Sequence, residues 1–418
     1  MSLGKRKLVI ISLTFIFSLS ASIQIYGAWY DSLTFDESAH IPAGYSYVRY
    51  FDYRLNHEHP PLVKVLSGLP LLLYEPNFPI NGDAWQKDVN GQWRTGGDFL
   101  YESGNNARML IFLARLGPIL ITLLTTLFIY LLAKRFLSDY YTLIPVTLFA
   151  FSPNILSNGH YVTTDIGATF GILVFILAYV IYDSNKTSRN LIFLGLALGL
   201  AQMLKFSNAL LYPLIIAFWF ISLFIHLRNE PNKFSYFLKE IGKLAIIGAI
   251  SLIVIYIIYF IFSFNYSKEL ISRDILSVLP NFRIKFLITF AIFLSEFSFL
   301  KTFSVYLFGM MSVLLRTAGG NSAYFLGDLA GKGWWYYFPV IFIIKEVTAT
   351  LLIILLGTIA KIKNIFDLIA SKKMLVPTFK VSLLAAFVIF YWFNSVLSPL
   401  NIGFRHIIPT LPLIYILV

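Results

Sequence analysis

The 418-residue sequence contains no cysteine. Disulfide frameworks, thiolate nucleophiles and cysteine-type zinc sites are therefore excluded together, while the redox compartment is left undetermined. Charge is scarce as well. Asp, Glu, Lys and Arg make up 13% of the chain, against roughly a quarter in soluble domains, so the water-facing surface that a soluble chain of this size needs is missing. The sequence shows no internal repeat, low-complexity tract or soluble domain. What abounds instead is apolar: 58% of residues are hydrophobic, with 40 Phe and 25 Tyr and a mean hydropathy of +0.74. Such aromatic content excludes intrinsic disorder. An integral membrane protein remains.

A helix needs about 20 apolar residues to cross the hydrocarbon. Runs that qualify or come close are Leu8–Ala28, Met109–Ala133, Tyr141–Leu156, Ile166–Tyr182, Leu191–Leu204, Ala209–Leu227, Leu244–Phe264, Tyr337–Ala360 and Val381–Leu397. A tenth, Ile407–Val418, stops mid-span, so the C-terminal helices are expected to be incomplete. The first run follows Lys5, Arg6 and Lys7, but it is long and no small-residue cleavage site closes it, so it reads as a retained helix and not a signal peptide. The expected fold class is an all-α polytopic membrane protein of about ten transmembrane helices, with residues 1–418 forming one domain.

Alternating the spans from a cytoplasmic N-terminus places segments 1–7, 134–139, 183–190, 226–243 and 361–380 inside. These hold 16 of the 33 Lys and Arg but only five of the 21 acids, so nearly the whole surplus of +12 lies there. The positive-inside rule accounts for the basicity, and a nucleic-acid partner is not expected. Two outer segments, about 29–108 and 265–335, are too long to be turns. The first carries ten acids and three of the six His, and is expected to bear short helices. The second contains Phe286–Leu294 and Phe303–Leu315, too short to span and expected to lie on the outer leaflet.

Polar chemistry collects on that outer side. Asp36-Glu37 follows the first span by eight residues, and Asp36 and His40 face each other at i,i+4 if the stretch is helical. An acid there suits a general base at the membrane surface, or simply a helix cap. Asn56-His57-Glu58-His59-Pro60-Pro61-Leu62 is followed by Lys64, and the proline pair favours an extended display of His57 and His59 on one face. That display suits phosphate or metal binding, with Glu58 and His59 as candidate metal ligands, but no third ligand stands at metal-site spacing. A divalent metal ion is left open as a cofactor. Asp165 closes the outer loop Asn158–Thr164 at the start of the fourth span, where an acid also caps a helix. Arg405 and His406 begin the last run, where a guanidinium can grip a lipid phosphate or anchor to headgroups. Lys345-Glu346, inside the eighth span, is a neutralised pair, a snorkelling anchor or a site element.

Together these motifs resemble the membrane glycosyltransferases of the C-type fold (GT-C). The residues that carry the resemblance are Asp36-Glu37-Ser-Ala-His40-Ile-Pro-Ala-Gly44-Tyr45, Arg54-Leu-Asn-His57-Glu58-His59-Pro60-Pro61-Leu62-Val-Lys64 and Thr163-Thr164-Asp165. Further on, Ala318-Gly319-Gly320-Asn321, Tyr324-Phe325-Leu326-Gly327, Gly333-Trp334-Trp335-Tyr336-Tyr337-Phe338-Pro339 and Asn401-Ile-Gly-Phe-Arg405-His406 resemble bacterial and archaeal members. The nearest branches are the protein O-mannosyltransferases and the aminoarabinose transferases. The resemblance implies inverting transfer of a sugar from a polyprenyl-phosphate donor to a hydroxyl of a protein, lipid or glycan acceptor, at the extracytoplasmic face of the plasma membrane. It implies Asp36, Glu37 and Asp165 as catalytic residues. His57, His59, Lys64, Tyr45, Arg405 and His406 are the candidate substrate-binding residues. The chain departs from the branch at Lys345-Glu346-Val347, where a Lys-Thr-Pro-like run is usual. A multi-pass transporter or flippase, and an inactive relative, are the competing readings. Against a transporter, the acids crowd one outer loop and no repeated halves appear.

Overall fold

The computed structural model describes residues 3–370 and 379–418, whose regular structure is helical apart from one two-stranded hairpin. The last basic segment, 361–380, lies partly outside the described residues. Five helices are long and apolar enough to cross a membrane: Arg6–Tyr30, Ala107–Ala133, Asp165–Ser184, Phe206–Leu227 and Lys233–Phe262. A sixth is Tyr337–Lys345 with Thr348–Lys363, bent by 115° at Glu346-Val347. The other four expected spans appear as shorter apolar helices, so length and composition support five or six crossings among the described residues and do not establish ten. The shortfall has local causes. The run Tyr141–Leu156 is broken into Leu143–Ala150 and Pro153–Asn158, because Pro153 cannot continue the preceding turn and instead opens a new helix.

Asp165–Ser184 is the central span, flanked by Ala107–Ala133 and Ser188–Leu204, and its Ile172, Phe175 and Ile176 are fully enclosed. Arg6–Tyr30 and Lys233–Phe262 are peripheral and turn Ile11, Phe15, Ile253 and Ile257 outward, as helices bathed in lipid do.

The first outer segment folds back onto the bundle as short helices. Phe35–Tyr50 crosses Leu62–Gly68 so closely that a Cβ on Gly44 would sit 2.2 Å from the Lys64 carbonyl oxygen, and one on Gly68 2.3 Å from that of Gly44. Only glycine permits this approach, which seats the Asp36 helix against the start of the spans. Aromatic packing locks the segment: Tyr47 stacks on Tyr53, and Tyr53 meets Tyr259 of Lys233–Phe262 edge-on. In the second outer segment, Lys285–Ser295 and Lys301–Gly319 form an antiparallel pair, and a two-stranded hairpin follows, β1 (Ala323–Phe325) with β2 (Asp328–Ala330).

Candidate active site

A cavity of about 520 Å³ opens where these outer elements meet the ends of the spans. Asp36, His40, Glu58, His59, Asp165, Lys205, Arg316, Arg405 and His406 line it, and Phe206, Leu210, Met310, Val313, Leu314, Leu400 and Ile402 give it an apolar wall. Sequence positions from 36 to 406 thus converge on one space.

Asp36 and Glu37 part company there. Neighbours on a helix point about 100° apart, so one carboxylate faces the cavity and the other the interior. The side chains of Asp36 and its partner Arg405 are each 27% exposed, whereas those of Glu37 and Arg115 are 0% exposed. Glu37 takes two parallel hydrogen bonds at 2.8 Å from Arg115 Nε and Nη2, plus those of the Thr34 N–H, the Thr34 hydroxyl and the Val162 N–H. The remaining Arg115 N–H groups donate to the carbonyls of Ala28, Asp31 and Ser32. This satisfied pair fixes the first turn of the Asp36 helix to the Ala107–Ala133 span.

The opposite wall is the loop before Asp165. His160 Nε2 and the Tyr161 hydroxyl both donate to Asp31 Oδ2 at 3.0 Å, and the Val162 carbonyl accepts from His40 Nδ1 at 2.6 Å. Because that carbonyl only accepts, His40 carries its proton on Nδ1 and presents Nε2 as the acceptor of a neutral ring. Burial, with the nearby Lys64 cation, lowers the His40 pKa to about 4. Asp165 is the first residue of its helix, as expected, and its Oδ1 accepts from Lys205 Nζ at 2.6 Å. Arg405 Nη1 bonds Asp36 while its Nε lies 3.9 Å from Asp165 Oδ2. The result is a row of alternating charge: Asp36, Arg405, Asp165, Lys205.

Lys205 did not emerge from the sequence. It stands one residue beyond the Ser188–Leu204 helix, and a lone lysine at a span end reads as a headgroup anchor. Its one signal was the outer side on which the alternation of spans puts it.

The proline-rich motif divides. Asn56 adopts a left-handed conformation with φ 52°, and residues 57–59 turn where an extended display was expected, so His57 and His59 do not share a face. His59 lines the cavity with its ring edge-on to His40 at 5.2 Å. His57 is enclosed and stacks on Phe308 at 4.0 Å, outside the cavity lining. Lys64 is also enclosed. Its ammonium bonds the Tyr47 hydroxyl, the Asn56 carbonyl and side-chain oxygens and the His59 carbonyl at 2.7 to 2.9 Å, stapling the motif. Tyr45 packs on Phe99 away from the cavity. Glu58 pairs with Arg316 at 2.8 Å across the cavity mouth. With Glu58 so engaged, and no group of three or more His, Asp or Glu converging among the described residues, the donor set does not fit a resident metal ion.

The family described as dolichyl-phosphate-mannose-protein mannosyltransferase matches residues 12–272. No curated protein sequence matches. Among solved structures, ArnT from Cupriavidus metallidurans bound to undecaprenyl phosphate aligns with 100% of this chain and 60% of its own at 12% identity, with a TM-score of 0.56. The oligosaccharyltransferase of Archaeoglobus fulgidus in the apo form aligns with 100% of this chain and 50% of its own at 13% identity, with a TM-score of 0.55. The chain therefore spans between half and three-fifths of the length of these structures, with which it shares its fold.

Proposed function

The chain belongs to the dolichyl-phosphate-mannose-protein mannosyltransferase family, and from that premise we propose that it moves one sugar from a polyprenyl-phosphate donor to an acceptor hydroxyl on protein, lipid or glycan, with inversion at the anomeric carbon. The setting is the plasma membrane, with the cavity on the extracytoplasmic side, as the bias of basic residues to the opposite loops supports. The observation that carries the reading is one cavity in which a half-open carboxylate and the Arg405 and Lys205 cations stand beside an apolar wall. A water-soluble sugar nucleotide would have no use for that wall; an isoprenoid tail would. The undecaprenyl phosphate bound to ArnT, which shares the fold, agrees with such a donor.

In this reading Asp36 is the general base. Arg405 holds its Oδ2, and the acceptor hydroxyl gives its proton to the carboxylate as its oxygen bonds to the anomeric carbon from the face opposite the phosphate. The bond from that carbon to the phosphate oxygen breaks, and its electron pair leaves with the polyprenyl phosphate. The leaving group gains one negative charge, which Arg405 and Lys205 are placed to stabilise. Asp165 orients both cations, His406 stands beside them, and His40 and His59 offer neutral ring nitrogens to sugar hydroxyls.

The test is Asp36→Asn in membranes supplied with labelled polyprenyl-phosphate sugars. Loss of transfer in protein that still inserts is expected, and undiminished turnover would overturn the assignment. The labelled product identifies the donor and the acceptor.

A further inference from the structure

The β1–β2 hairpin turns large apolar side chains outward. Its register pairs Ala323 with Ala330, Tyr324 with Leu329 and Phe325 with Asp328. Because side chains alternate between the two faces, Phe325 and Asp328 share one face and Tyr324 and Leu329 the other. On the inner face Ala323 and Phe325 are 6% and 8% exposed, and Phe325 packs on Trp334, Tyr336 and Tyr337. The outer face should then be polar if water covered it. Instead Tyr324 and Leu329 stand 69% and 79% exposed, with Leu326 of the turn at 69% and Trp335 at 70%. Asp328, which pairs with Phe325 at the turn end of the ladder, is itself exposed, on the opposite side from Tyr324 and Leu329.

The hairpin is firmly based. The Trp334 N–H donates to Asn401 Oδ1 at 2.5 Å, a Cβ on Gly333 would collide with Asn401, and one on Gly320 would meet the Gly331 carbonyl at 2.6 Å. Its neighbours Thr317, Ser398, Leu400 and Ile402 line the cavity. From Trp335 the chain runs into Tyr337–Lys345, half of the bent span, whose Ile343 and Ile344 are exposed in the same way.

We propose that the outer face of this hairpin rests against lipid in the leaflet on the cavity side, making Tyr324, Leu326, Leu329 and Trp335 a shallow membrane contact beside the cavity mouth. The occupant follows from continuity: the apolar patch prolongs the lipid-facing surface of the adjoining span. An exposed patch of four large apolar side chains on a rigid base is otherwise unfavourable in water. A tyrosine and a tryptophan in the patch suit the headgroup zone, and the exposed Asp328 lies on the other side of the ladder, consistent with a shallow contact. The contact rests on membrane embedding and not on the transfer chemistry, so an inactive protein would show it equally.

The absence of native cysteine makes the test direct. Single substitutions Tyr324→Cys, Leu329→Cys, Ile344→Cys and Lys332→Cys are spin-labelled in protein reconstituted into lipid nanodiscs. Collision rates with oxygen, which concentrates in lipid, and with a water-soluble nickel chelate are then compared. Ile344 is the lipid reference and reports insertion; the exposed Lys332 is the aqueous reference. Labels at 324 and 329 are expected to favour oxygen severalfold, as at 344. Nickel accessibility matching position 332 at both sites would overturn the proposal and leave the face free for an acceptor.

Discussion

Arg405 Nη1 donates to Asp36 Oδ2 at 2.5 Å, joining residues 369 positions apart in the chain. The same guanidinium lies 3.9 Å from Asp165 Oδ2. One forked cation therefore sets the spacing of two acids carried by different helices, which a point charge cannot do.

Arg405→Lys tests that bridge. The charge remains, but an ammonium in place of the fork loses the second acid and the fixed direction of the first. Transfer is expected to fall by ~100- to 1000-fold at saturating donor, the scale of losing one preorganised donor, with little change in unfolding temperature. An unchanged rate would remove Arg405 from the site.

The Glu37–Arg115 pair carries a stability prediction. Both side chains are 0% exposed, and all five Arg115 N–H groups are used. Arg115→Met strands an ionised acid in the interior and is expected to cost ~3 to 5 kcal/mol. Glu37→Gln with Arg115→Met should cost less than the two single changes added together, because neither charge is then left alone. Thermal unfolding in detergent measures all four proteins; strict additivity would show the pair to be uncoupled.

Acid sensitivity follows from the buried histidines of the outer segment. Burial first, and the Lys64 cation second, holds His57 down to about 3, and His59 is likewise pushed well below 6.5. His40 falls to about 4 for the same leading reason. Between these values and 6.5 the unfolded chain binds protons that the folded chain refuses. The stability is therefore complete above 6.5 and is lost as pH falls toward 4 and then 3. His57→Phe, which keeps a ring against Phe308, should flatten the slope of unfolding temperature against pH across this window. An unaltered slope would show that His57 is protonated as easily when folded as when unfolded.

The legible parts of the site are those governed by local periodicity. Asp36 and His40 lie at i,i+4 on a real helix, and Asp165 begins its span, so neighbouring residues sufficed to place them. The first, second and fourth apolar runs are likewise long helices. What escaped depends on distant partners. His57 and His59 separate because Asn56 turns left-handed, with its N–H bonded to Asn90 and its side-chain amide to Gln92. The eighth span breaks at Glu346, whose carboxylate takes the Val347 N–H and the Tyr415 hydroxyl, a partner 69 residues on. Hydropathy has no term for such contacts.

Lys205 is the sharpest case, since its acid lies 40 residues earlier. The two side chains are 11% and 6% exposed, so removing either strands a nearly buried charge and confounds stability with chemistry. Lys205→Met is expected to lower both the unfolding temperature and transfer. Adding Asp165→Asn removes the stranded carboxylate and should restore most of the lost stability, as paired removal of a buried ion pair does. Transfer should stay low in the double variant, because the cation that meets the leaving phosphate is still absent. Recovery of transfer together with stability would reduce Lys205 to a structural counter-ion of Asp165, leaving Arg405 as the one cation among the four charges in the row to meet the phosphate.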